Sequence, residues 1–354
     1  MNKPIEKLFF LILCGALAFP PLAALAAPTN PLEPYIEGAK KEGALHLGIT
    51  LRAKSHGKPS GELYLAAFQR RYPFLKVTFE RVGGAHERER VLTEMTAGIF
   101  NFDVVTASET AIPTIIDAKL PRVVEWQKLG VPKYFVHPKN IGISMRTQVY
   151  GIGYNRKAIP DALAKTFTWE TCTDPKWKGR TAMDDRPRHL NRLFLDDAWG
   201  RQKTLDYAKR WAANKLGIES SRSTAAEKLT IGSYAMICGL PRRQVLDIQV
   251  NTKSKSVGLV YPEPIPVSTG DFIYVPDKSK HPNAGILFMV WTGSAEAQKI
   301  LDDIDFTGHP AIEGNDSNRE LKGKKVLYGT FEDSKRSDDN LADILRAMGM
   351  PVAR

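Results

Sequence analysis

The side chains best equipped for chemistry in this sequence are arginines set beside hydroxyls, and they recur where an apolar run gives way to a helical stretch. Arg52 and Ser55 follow the run 44–50, with His56 beside them. Thr106 and Ser108 close the run 102–108, and Tyr154 and Asn155 end the run that begins at Tyr150. Asp184, Asp185, Arg186, Arg188 and His189 come after Met183. Arg222 and Ser223 stand in SSRSTAAE, 220–227, and Arg242-Arg243 follow CGLP. Arginine grips a carboxylate or phosphate through two parallel hydrogen bonds. A helix N-terminus adds free N–H groups and the positive end of its dipole. Together these residues describe an anion pocket. The candidate contacts are Arg52, Ser55, Thr106, Ser108, Tyr154, Asp184, Arg186, Arg222 and Ser223. Each arginine taken singly also fits a solvated surface, and His56 and His189 read as structural or solvent-facing residues.

No catalytic signature accompanies them. HExxH and CxxC spacings are absent, as are a GxSxG elbow and a GxxxxGK phosphate loop. Gly83-Gly84 precedes a helix and could hold an anion through backbone N–H groups, which is not a catalytic pattern. No catalytic residue, resident metal or cofactor is assigned.

The elements that must position these residues alternate between strand and helix. ALHLGIT, 44–50, reads as a buried strand, and a helix with Ser60 as cap covers Leu63–Arg71. LKVTFERV, 75–82, is a strand; HERERVLTEMTAG, 86–98, is an amphipathic helix ending at Gly98. FDVVTAS, 102–108, is a strand, and a helix follows Pro113. The pattern then restarts. Strands are expected at 150–154, 180–183, 234–238, 257–260 and 272–275. Helices are expected from Pro187, from Lys203, over 283–301, and from Ser337 to a stop at Gly349. Thr224 and Glu227 fit a capping box at a further helix. Such alternation argues for an α/β fold with a mainly parallel sheet, flanked by helices.

Composition agrees with a folded, exported protein. The 354 residues are 43% hydrophobic and 25% charged, enough for a sizeable core. At roughly 100–200 residues per domain, two domains are expected. Lys3 and Lys7 precede an apolar run from Leu8 to Phe19, and Ala24-Leu25-Ala26 has the small-x-small form of a cleavage site. Residues 1–26 therefore read as a cleaved signal peptide; the run is shorter than the roughly 20 residues a membrane span needs. Leu13 before Cys14 argues against a lipoprotein site. The net charge of +11 suits solubility or the attraction of anions, and export argues against nucleic acid as a partner. Beyond the leader stand Cys172 and Cys238, which an oxidising compartment permits to pair; two separate buried thiols are the alternative.

Six stretches carry a family likeness: AKKEGALHLGIT (39–50), FQRRYPFLKVTFERV (68–82), TEMTAGIFNFDVVTAS (93–108), GIGYNRKAIP (151–160), WETCTDPKWKGRTAMDD (169–185) and HPNAGILFMVWTGSAEAQKIL (281–301). In this order, behind a leader, the chain resembles the periplasmic solute-binding proteins of ABC importers, in the branch that includes ferric-iron, polyamine and phosphorylated-sugar binders. The resemblance implies a two-lobed, Venus-flytrap periplasmic-binding fold. Lobe one would hold 27–138 plus 262–308, and lobe two 139–261 plus 309–354. The chain would cross between lobes near 141–149 and near 261–267, where YPEPIPV carries three prolines. It further implies a monomer in the periplasm that traps a small solute and hands it to a permease in the inner membrane; the arginines and hydroxyls above make an anion the expected solute.

Iron is the main rival ligand. Ferric sites in this family typically use neighbouring tyrosines, whose phenolates are hard oxygen donors. Here the corresponding stretch reads IGSYAMICG, with Tyr234 alone. A polyamine would need an acidic, aromatic cleft; Asp184, Asp185 and Trp199 are present, but the adjoining arginines oppose it. A sensor subunit with the same binding chemistry, or a hydrolase on the same fold, are the remaining readings.

Overall fold

The computed structural model describes residues 30–52, 59–108, 111–219, 221–253, 255–331 and 337–352. The leader, Cys14, Ser55 and His56 lie outside the described residues. The first part of the chain runs α1 (Glu33–Glu42), β1 (Ala44–Ile49), α2 (Ser60–Arg71), β2 (Lys76–Arg81), α3 (Ala85–Thr96), β3 (Val104–Ala107) and α4 (Ile112–Asp117). β1 pairs in parallel with both β2 and β3. Leu45, Leu47 and Ile49 of β1 are fully buried and join Phe68, Phe288 and Trp291 in one core. Apolar β-branched and leucine side chains on a strand buried on both faces read as a near-continuous run, as ALHLGI does.

A second unit follows the long strand β4 (Ile143–Asn155) and α5 (Asp161–Ala164). It comprises β5 (Thr181–Asp184), α6 (Arg188–Leu193), α7 (Gly200–Ala213), β6 (Gly217–Glu219), α8 (Arg222–Ile231), β7 (Met236–Pro241), α9 (Arg242–Asn251) and β8 (Val257–Val260). β5 is parallel to β6 and β7. The core of this unit gathers Trp169, Trp177, Leu190, Tyr207 and Trp211. Cys172 and Cys238 are joined by a disulfide inside it, which settles the alternative the sequence left open. Gly239, at φ +78, lies against the His189 ring, and a side chain there would collide with it.

The chain returns through β9 (Ile265–Tyr274), α10 (Pro282–Thr292), α11 (Ala295–Asp305), α12 (Asp316–Leu321), β10 (Val326–Tyr328) and α13 (Ser337–Ala347). Strand order is β2-β1-β3-β9-β4-β7-β5-β6, with β10 beside β9 and β8 beside β4. Ile143–Val149 of β4 pair antiparallel with β9, whereas Tyr150–Asn155 pair with β7 and β8. β4 and β9 therefore tie the two units together, and the antiparallel pairings collect on them while the outer strands stay parallel. Among the described residues no helix is long and apolar enough to cross a membrane.

Several local expectations shift. The helix expected over 283–301 is two helices, because Ser294 accepts a hydrogen bond from Ala297 N at 3.2 Å and starts a new one. The cap of α8 is Ser221, whose Oγ accepts from Thr224 N at 3.1 Å, rather than the Thr224–Glu227 pair. Ser60 lies inside α2 and donates to Arg52 O at 2.9 Å instead of capping. The proline-bearing stretch 261–267 runs into β9, so Pro266 sits within a strand that begins far earlier than Phe272.

Candidate functional site

A cleft of about 780 Å³ opens between the two units. One wall is built by α3, the end of β3 and α4; the floor by β4 and β9; the other wall by α6 and the first residues of α8 and α9. Of the expected contacts, Thr106, Ser108, Arg186 and Arg222 line this cleft. Thr106 is buried, and its hydroxyl accepts from Thr50 N at 3.1 Å. Arg186 and Arg188 are exposed, and neither has an ion-pair partner among the described residues.

Four expected contacts stand elsewhere. Asp184 lies behind the wall and holds Arg222, accepting from its Nε at 2.6 Å. Burial pushes the Asp184 carboxyl above its ordinary value, with Arg222 opposing. Burial alone would lower the Arg222 guanidinium; Tyr150 and Asp184 more than offset it, and it ends raised. Arg52 points to Asp247 at 3.4 Å and is not part of the lining. Tyr154 donates its hydroxyl to Asp161 Oδ1 at 2.8 Å, and burial pushes it up to about 12. Ser223 is exposed on α8 and does not line the cleft. Ser55 is outside the described residues.

The floor holds residues that the loop-by-loop reading missed. Arg146 of β4 is nearly buried and binds Asp271 of β9 and Asp305 of α11, the latter at 2.9 Å. Arg243 of α9 lies 2.8 Å from Asp305 and 3.8 Å from Asp247. Arg52, Asp247, Arg243, Asp305, Arg146 and Asp271 thus form one alternating chain of charges beneath the cleft. Burial would lower the Arg146 guanidinium, but Asp271 and Asp305 outweigh it and raise it. Arg243 is less well compensated: burial lowers it to about 10. A lone arginine in the apolar strand ISMRTQV was the available signal for Arg146. His189 does not line the cleft; it is fully buried, stacked on Trp169 with ring centroids 5.2 Å apart, and burial lowers it to about 3.

Asp271 has a backbone φ of 53°, in the left-handed region. The ladder is irregular there. Ser144 Oγ accepts from Gly270 N at 3.2 Å and donates to Gly270 O at 3.0 Å, displacing a regular backbone pairing. The irregularity presents Asp271 to the cleft floor. Among the described residues, no group of three or more histidine, cysteine or acidic side chains is placed to hold a metal ion. Tyr234 donates to Glu219 Oε1 at 2.5 Å, is pushed up to about 12 by burial, and does not line the cleft.

Residues 64–317 match the profile of the bacterial extracellular solute-binding proteins. The chain belongs to that family. Its members are solute-binding components of ABC transporters, transport proteins rather than enzymes, which deliver solute to a permease. No curated protein sequence matches the chain. Among solved structures, this family member is similar to iron-bound HitA from Pseudomonas aeruginosa (19% identity, 87% of this chain and 99% of that one, TM-score 0.64). It is similar to FutA from Trichodesmium in complex with iron and citrate (16% identity, 87% and 100%, TM-score 0.68). A putative extracellular solute-binding protein from Bordetella parapertussis is also similar (15% identity, 86% and 98%, TM-score 0.68). The expected α/β, two-lobed periplasmic-binding fold is the fold of this protein.

Proposed function

We propose that this solute-binding protein captures a small organic or phosphorylated anion in the cleft and releases it to its permease unaltered. The observation that carries the reading is the pair Arg186 and Arg188, which face the cleft beside Arg222 without an ion-pair partner among the described residues. Guanidinium groups left unpaired at a cleft wall favour an anion that brings the missing acceptors. The lobes, 27–138 plus 262–308 and 139–261 plus 309–354, close about β4 and β9 like a flytrap. Closure excludes water and strengthens each charge-assisted contact. The solute favours the closed form only by its differential affinity for it. The leader at 1–26 is cleaved, and the mature protein works in the periplasm as a monomer.

Ferric ion or a ferric chelate is the second reading, favoured by the iron in the HitA and FutA structures. Against bare ferric ion stands the place of Tyr234, engaged by Glu219 away from the cleft. Thermal unfolding in the presence of organic acids, phosphate esters, phosphonates, polyamines, ferric ion and ferric citrate separates the readings. A true ligand at one hundred times its dissociation constant stabilises by about 2.7 kcal/mol. Stabilisation by an anion that Arg186→Ala and Arg188→Ala abolish supports the anion reading. Stabilisation by ferric ion or a polyamine alone overturns it.

A further inference from the structure

The cleft takes one end of β3, at Thr106 and Ser108; the opposite end of the same sheet carries a pair of imidazoles. His46 of β1 and His281, the residue before α10, have ring centroids 5.4 Å apart, tilted by 48°. Asp103, just ahead of β3, ties them together. Its Oδ1 accepts from Ser279 Oγ at 2.8 Å and His281 N at 2.9 Å, and its Oδ2 from His46 N at 2.8 Å. These bonds already fasten the turn before α10 to the sheet. Oδ2 also accepts from His281 Nδ1 at 2.9 Å, which fixes the ring itself. His46 Nδ1 lies 2.6 Å from Oγ1 of Thr78, its parallel neighbour on β2. Both Nδ1 atoms are thus engaged, and neither Nε2 has a hydrogen-bond partner among the described residues. Both residues are partly exposed.

A histidine whose Nδ1–H is held by an oxygen presents the Nε2 lone pair outward, the arrangement in which proteins hold a metal ligand. Two rings sharing one ion through nitrogens bound at about 2.0–2.1 Å have centroids roughly 5 Å apart. The spacing of His46 and His281 meets that condition. A cation beside a helix N-terminus is normally disfavoured. Here two carboxylates offset the dipole: Asp103, and Glu42, which accepts from Asn283 N at 3.1 Å and Ala284 N at 2.8 Å. A purely structural reading accounts for Asp103 and leaves the His46 ring over, because Asp103 uses only its backbone.

We propose that His46 and His281 bind one divalent late transition-metal ion, Cu2+, Ni2+ or Zn2+, through their Nε2 atoms, while Asp103 and Thr78 orient the rings and water completes the shell. Imidazole suits these ions, whereas Mg2+ and Ca2+ call for oxygen ligands. The site stands at the far end of the sheet from the cleft and does not rest on the anion reading.

Titration calorimetry of the protein purified without a histidine tag, with copper(II), nickel(II), zinc(II) and magnesium salts, tests this. The expected result is one equivalent of each transition metal, copper the tightest, and no uptake of magnesium. Thr78→Val, at an exposed position, should weaken binding about tenfold or more by freeing the His46 ring. His46→Ala and His281→Ala should each cost at least as much. Unfolding of each variant without metal checks that it folds. Electron paramagnetic resonance of the copper-loaded wild type needs no variant and should show two nitrogen ligands, falling to one in either histidine variant. No saturable uptake by the wild type, a wild-type spectrum with fewer than two nitrogens, or unchanged affinity in the double variant His46→Ala with His281→Ala overturns the proposal.

Discussion

Arg243 and Asp305 approach to 2.8 Å from helices that pack in different cores. Both are badly placed for their own helix. Arg243 sits in the first turn of α9, where the dipole is positive, and Asp305 ends α11, where it is negative. Their neighbours repeat the pattern: Arg242, in the first turn of α9, lies 3.0 Å from Asp302 in the last turn of α11. Two local mismatches on each helix become two ion pairs between the units. The charges are thus legible only as tertiary contacts.

Removing one member of such a pair leaves a charge stranded. Arg243→Ala or Asp305→Ala should each cost about 3–5 kcal/mol in urea unfolding. Replacing both by leucine should cost far less than the sum, because the desolvation of two ions disappears with their attraction. A double change as costly as the two singles added together would mean the residues do not act as a pair.

The Cys172–Cys238 bridge spans 66 residues of sequence. Closing a loop of that length restricts the unfolded chain by about 4 kcal/mol on the chain-entropy account. Reduction under denaturing conditions followed by refolding in reductant should therefore give a protein of visibly lower melting temperature. Cys172→Ala with Cys238→Ala should match it. An unchanged midpoint in either preparation would show that the bridge contributes nothing to stability.

How far the sequence foretold this depends on the range over which each signal acts. The strands 44–49, 76–81 and 257–260 were legible because runs of apolar and β-branched residues stop at turn residues. Strand-end loops pointed to Thr106, Ser108, Arg186 and Arg222 because the chemistry of a loop after a strand is local. Helix α9 was missed: RRQVLDIQVN opens with two arginines, which argue against a helix start until Asp302 and Asp305 are seen beside them. Arg146 and Asp271 were missed for the same kind of reason. They lie in strand interiors that the loop-by-loop search passed over, and only the β4–β9 pairing brings them together. Tyr154 and Ser223 were expected at the cleft because their position along the chain was right, but the direction of a side chain is set by packing.

Acid should loosen the molecule through two buried histidines. His189 and His309 are both lowered to about 3 by burial. His309 is sandwiched between Tyr134 and Tyr328, and its Nδ1 accepts from Ala311 N at 3.1 Å, as a neutral ring does. In the unfolded chain each titrates near 6.5. The native state then holds fewer protons than the unfolded state between 6.5 and 3, so stability is full above 6.5 and falls as the pH drops through that window. The slope should approach about 1.4 kcal/mol per pH unit for each histidine. Urea titrations at pH 7, 6 and 5 should show the loss, and His309→Phe should reduce the slope. A flat profile would mean the rings are solvated.

Arg186 and Arg188 should separate binding from folding. Both are exposed and hold no ion pair among the described residues, so alanine at either should change stability by no more than about 0.5 kcal/mol. Binding should behave differently: each loss should weaken an anionic ligand about tenfold or more, because a charge-assisted hydrogen bond is lost inside a closed cleft. Arg222 is the contrasting case. Asp184 anchors its Nε at 2.6 Å, so Asp184→Asn should weaken the same ligand by freeing Arg222 although Asp184 does not line the cleft. Arg222→Lys should not rescue, since a lysine cannot bridge Asp184 and a ligand with one planar fork. Titration calorimetry of the four variants, with unfolding curves beside it, reads both quantities. Weakened folding with unchanged affinity at Arg186 and Arg188 would place their role in structure and remove them from the site.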